Sequence, residues 1–136
     1  MSSRAVALQM AAFLILVGCN LGYELLVKIE DNSVTLAIAP NAEVPPCIEV
    51  LNIYEMTESR DVADASRIWR LQKLPGATCV KHITYPIVPE GYRQSGQISP
   101  IFKGRPYRAE GLVGAGTARA DFKVPRTIMP DRPELR

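Results

Sequence analysis

The chain has 136 residues, with 16 Lys and Arg against 14 Asp and Glu and a formal net charge of +2. That length fits a single domain, and so balanced a charge gives no sign of the basic stripe on which nucleic-acid binding relies. Pro 11 and Gly 9 point to frequent turns, and one histidine with three cysteines leaves little from which to build a metal site.

Arg4 is followed by an apolar run from Ala5 to Val17, broken only by Gln9, and then by Gly18 and Cys19. A basic start, a short apolar stretch and a small residue are the parts of a secretory signal. A transmembrane helix needs about 20 mostly apolar residues, and here Asn20 and Glu24 interrupt the run. Leu16-Val17-Gly18-Cys19 resembles the lipobox of bacterial lipoproteins, where the chain is cut before a cysteine that then carries lipid. The resemblance implies a lipoprotein signal peptide over 1–18, palmitate-type lipidation of Cys19, and a membrane partner engaged through that lipid. A single acyl chain anchors only marginally; the three chains of bacterial lipoproteins would make attachment effectively permanent. Asn20, where an aspartate would mark inner-membrane retention, resembles the arrangement in lipoproteins of the outer membrane that face the periplasm. With Cys19 assigned to lipid, Cys47 and Cys79 are left as a pair, and in an oxidising compartment such a pair is expected to form a disulfide.

Residues 19–24 read as a tether. Leu25 to Glu30 alternates, with Val27 and Ile29 on one face, and Val34 to Ile38 alternates again after the turn residues Asp31-Asn32-Ser33; together they predict a β-hairpin. Cys47 to Glu55 is apolar on both faces and predicts a buried strand. Met56 to Ser66 is polar and reads as a surface loop, with room for a short helical turn near Val62. Arg67 to Lys73 predicts a strand with Trp69 and Leu71 facing inward, closed by the turn Leu74-Pro75-Gly76-Ala77. Thr78 to Tyr85 predicts another strand, and the prolines between Pro86 and Pro100 predict a long irregular segment.

Ile101, Gly104 and Tyr107 are spaced as in the tyrosine corner of fibronectin-type sandwiches, which they resemble. There the tyrosine hydroxyl bonds to backbone a few residues upstream. Arg108 to Val113 and Thr117 to Val124 then predict two strands around Gly114-Ala115-Gly116, and the prolines and charges of 125–136 read as a disordered tail. The expectation is an all-β, immunoglobulin/fibronectin type III-like β-sandwich of about seven strands over 25–124, a span of roughly 100 residues that suits such a domain.

No catalytic constellation stands out. His82 has no nucleophile motif around it, Gly111-x-x-Gly114-x-Gly116 lacks the Lys-Ser/Thr of a phosphate loop, and Glu55, Glu58, Asp61 and Asp64 lack calcium-loop spacing. The reading is of a protein without enzymatic activity, cofactor or metal. The lipobox, the Val27-x-Ile29-x-Asp31-Asn32-x-Val34 hairpin, the Trp69 strand, Ile83-x-Tyr85-x-x-x-Pro89-x-Gly91 and Gly104-x-x-Tyr107 leading to Phe122 together resemble small periplasmic lipoproteins of the type VI secretion immunity group. That resemblance implies a lipid-anchored binding protein whose partner is a secreted protein toxin. A structural lipoprotein of a cell-envelope or secretion assembly is the alternative. The acidic loop Glu55 to Asp64 and the loop Pro86 to Pro100 are the expected contact surfaces, because loops on a rigid scaffold carry binding most often.

Overall fold

The computed structural model describes residues 22–39, 47–57, 65–114 and 116–130. Cys19 with the signal segment, and Glu58, Asp61 and Asp64 of the acidic loop, lie outside the described residues. Among the described residues there are eight strands and no helix.

Strands β1 (Gly22–Glu30) and β2 (Ser33–Ile38) form the expected hairpin. Leu25 opposes Ile38, Val27 opposes Leu36 and Ile29 opposes Val34, so all six share one face and point to the core, as a period of two demands. The turn rests on Asp31, whose φ of 45° lies in the left-handed region that aspartate tolerates better than most residues. The Ser33 hydroxyl donates to the Glu30 carbonyl at 3.1 Å.

β1 starts earlier than a tether over 19–24 allows. Gly22–Glu24 pairs in parallel with Thr117–Arg119 of β8 (Gly116–Phe122), while Leu25–Glu30 pairs with β2. The strand therefore divides itself between two neighbours and joins two groups of strands. With β3 (Ile48–Glu55), β4 (Ser66–Lys73), β5 (His82–Tyr85), β6 (Tyr92–Gln94) and β7 (Tyr107–Val113), the order is β5-β2-β1-β8-β7-β3-β4-β6. Among the described residues only the β1–β8 pair is parallel. The sheet curls on itself: Trp69 of β4 and Tyr85 of β5, from near its opposite ends, meet edge to face with ring centroids 5.1 Å apart. Leu36, Leu51, Ile53, Leu71 and Ile83 fill the space between, each essentially inaccessible.

A bulge in the β3–β4 ladder lets Ile53 face Trp69 and Tyr54 face Arg67. The extra residue, Ile68, is buried beside Trp69, which is how two consecutive side chains of one strand both reach the core. Tyr107 sits where β7 begins, and its hydroxyl accepts a hydrogen bond from the Phe102 N–H at 2.7 Å. Its ring stacks on Phe122 at 5.7 Å. Tyr107→Phe keeps the ring and removes that acceptor, and a lost bond to a shielded N–H costs about 1–3 kcal/mol. A lowered melting temperature is expected; an unchanged one would mean the hydroxyl contributes nothing to the corner.

Four expectations need correction. Among the described residues there are eight strands where about seven were expected. The strand expected over 78–85 is only His82–Tyr85, because the turn at Gly76 and the joining of Cys79 to Cys47 take the preceding residues off the ladder. The stretch 86–100 is not merely irregular: it holds β6, which pairs with Leu71–Lys73, and the Tyr85 hydroxyl donates to the Ser99 carbonyl. The tail is docked as far as Pro130. Ile128 is buried and exchanges both backbone hydrogen bonds with Ile101, at 3.0 and 2.7 Å, and the Thr127 hydroxyl accepts from the Lys103 N–H at 3.1 Å. Burial of one apolar side chain holds this proline-rich segment down.

Candidate functional site

With the apolar residues of β3, β4, β7 and β8 turned inward, the alternate positions face away from the core and form a second surface. Directly opposed residues on neighbouring strands share a face. The registers Asn52↔Arg70, Asn52↔Glu110, Glu110↔Arg119 and Glu24↔Arg119 therefore lay one polar row across five strands: Arg70, Asn52, Glu110, Arg119, Glu24. The row crosses a hollow of about 660 Å3, whose wall includes Tyr23, Leu112 and Thr117. Gly111, the register partner of the buried Leu51 and Ala118, turns its bare Cα to the core, where a Cβ would lie 3.3 Å from the Val50 carbonyl oxygen.

The charged groups of this face fall into two kinds. Arg108 is nearly buried and grips Asp121 through two hydrogen bonds, Nε to Oδ1 at 2.6 Å and Nη2 to Oδ2 at 3.1 Å. That bidentate bond holds the Arg108 guanidinium above its ordinary pKa, against the opposing effect of burial. Arg70 donates from Nη1 to Asn52 Oδ1 at 3.1 Å, a neutral partner that fixes the guanidinium and leaves its charge unmatched. Among the described residues neither Arg119 nor Glu110 makes an ion pair, although the two are register partners. Among the described residues the hollow thus presents two cations, Arg70 and Arg119, that no salt bridge neutralises, and Glu110, whose ionic influence falls on the Arg108 guanidinium already bound to Asp121.

The residues singled out from sequence lie elsewhere. Cys47 and Cys79 have their sulfurs 2.12 Å apart and Cα atoms 5.1 Å apart, joining the start of β3 to the segment before β5. Tyr107 is wholly buried at the opposite end of the strands. Burial pushes the Tyr85, Tyr92 and Tyr107 phenols above their ordinary pKa, which makes them structural groups. His82 is exposed on edge strand β5, opposite Ala37. Glu55 pairs with Arg105 at 3.0 Å. Trp69 is core, Arg70 faces the hollow, and Lys73 is spent on the carbonyls of Leu74 and Ala77. Among the described residues, no group of three or more His, Cys, Asp and Glu could hold a metal.

Sequence reasoning did not find Asn52, Glu110 and Arg119. Each looks like an ordinary outward residue of an alternating strand, and only the pairing register assembles them. Comparison with protein-family models, with curated proteins and with solved structures finds no match.

Proposed function

We propose that this chain is a binding protein of the bacterial cell envelope, held to the membrane by lipid on Cys19, and that it neutralises a secreted protein toxin in the periplasm. The observation that carries the binding role is the hollow on the outer sheet face, where, among the described residues, Arg70 and Arg119 stand without a salt bridge on either side of Glu110. Tyrosine and arginine are enriched at protein interfaces and lysine is depleted. The row and its neighbours follow that composition: Tyr54, Arg70 and Arg119 occur there without a lysine. The envelope location and the toxin rest on the lipobox and on the immunity-lipoprotein resemblance.

An immunoglobulin/fibronectin-like sandwich is part of the same reading. Its support is a group of three strands, β1-β2-β5, packed against the larger group β8-β7-β3-β4-β6, with a tyrosine hydroxyl bonded upstream where β7 begins. Such a body needs no catalytic group to act; it needs a rigid face held where the toxin arrives.

Two measurements test the function. Metabolic labelling with palmitate is expected to mark the wild-type protein and not Cys19→Ser; label independent of Cys19 would remove the anchor. Deleting the gene is expected to make cells sensitive to sister cells that deliver the toxin. Survival of the deletion strain in that competition would overturn immunity and leave the structural role in an envelope assembly in its place.

A further inference from the structure

We propose that the hollow receives an extended acidic segment of a protein partner, crossing the strands with carboxylates at positions i and i+4 and a donor at i+2. The inference rests on the binding-protein reading and names the chemistry of its partner.

The spacing follows from the sheet. Arg119 and Arg70 belong to β8 and β4, with β7 and β3 between them, so three strand spacings separate them by roughly 14 Å. In an extended chain, residues i, i+2 and i+4 share a face and span roughly 13 Å. Carboxylates at the two ends therefore reach both guanidiniums. The middle side chain arrives between Glu110 and Asn52, whose oxygens accept hydrogen bonds, so a lysine or an amide belongs there.

The charges decide between partners. Arg108 is bound to Asp121 and its remaining field falls on Glu110, so it offers a ligand little, whereas Arg70 is held by Asn52 with most of its donors free. Arg67 and Arg93 stand on the same face, as the register partners of Tyr54 and Gln72, and add a basic surround. A nucleic acid would answer to the arginines alone, and its evenly spaced phosphates would place one against Glu110. An acidic-donor-acidic segment matches the order of charges Arg70, Glu110, Arg119 without that repulsion.

The test uses the full chain in detergent micelles and a fluorescein-labelled peptide bearing Glu-Thr-Lys-Thr-Glu, followed by fluorescence anisotropy. Saturable binding is expected, and the charge-reversed Lys-Thr-Glu-Thr-Lys peptide is expected not to bind. Arg70→Gln and Arg119→Gln are each expected to weaken binding by about 5-fold, the worth of a well-placed exposed pair, with Arg126→Gln, exposed and away from the hollow, changing it little. The binding should weaken with salt. Absence of saturation up to millimolar peptide, equal binding of the charge-reversed peptide, or equal loss in all three arginine variants overturns the proposal, as does preference for a single-stranded oligonucleotide over the peptide. The wild-type comparison of the two peptides does not depend on any variant folding. Peptide binding and bacterial competition are read separately, so failure of one is distinguishable from failure of the other.

Discussion

Trp69→Ala is expected to lower stability by about 3–5 kcal/mol, the usual cost of removing a large buried aromatic ring. Against a total of about 5–15 kcal/mol for a domain, that loss leaves much of the chain unfolded at moderate temperature. The reason is positional. Trp69 is 1% exposed and meets Tyr85 across the core, so it joins the two ends of the curled sheet rather than one local pair of strands. Trp69→Phe separates ring from nitrogen. The Trp69 Nε1 is buried without a hydrogen-bond partner, a situation that costs about 1–3 kcal/mol. Phenylalanine relieves that cost while retaining most of the contact, and the loss is expected to be much smaller. Urea unfolding provides the check: an unfolding free energy for Trp69→Ala within about 0.5 kcal/mol of wild type, an ordinary surface-substitution effect, would mean the sheet is not closed through this residue. Leu112→Ala, which removes an exposed side chain, serves as the mild control.

Reducing the Cys47–Cys79 bridge, or replacing both cysteines by serine, is expected to cost about 3–4 kcal/mol. The figure comes from the separation of 32 residues, since a closed loop of that size removes chain entropy from the unfolded state. The bridge also holds the start of β3 beside the segment that leads into β5, two strands in different parts of the curled sheet. Thermal melts with and without reductant measure the effect. Equal melting temperatures, with free thiols confirmed by alkylation, would show that packing alone keeps the two segments together.

Sequence alternation revealed what local chemistry controls. The β1–β2 hairpin, β3, and the inward placement of Trp69 and Leu71 on β4 could all be read from residues close in the chain. Pairing over long separations could not. Gly22–Glu24 has no strand character of its own, and it is strand because Thr117–Arg119 offers a free edge. β6 is three residues among prolines, formed because the edge of β4 lies open to it. Ile128 sits in a segment whose prolines and charges predict disorder, and one apolar side chain with a backbone partner in Ile101 overrides that composition. The hollow was hidden for the same reason, since its row of side chains exists only through register.

The early start of β1 fixes how closely a lipid on Cys19 would hold the body to its membrane. Gly22 is already strand, and three peptide units reach roughly 10 Å at full extension. A leash so short leaves little freedom to tumble. The end of the molecule that carries Gly22, the turn after Val113 and the close of β4 would be pressed toward the headgroups, with the strands rising from them. The polar row begins at Glu24, two residues above Gly22, so the hollow would open sideways and low, almost at the lipid surface. With Cys19 lipidated as proposed, a partner would reach the hollow only by coming close to the lipid surface.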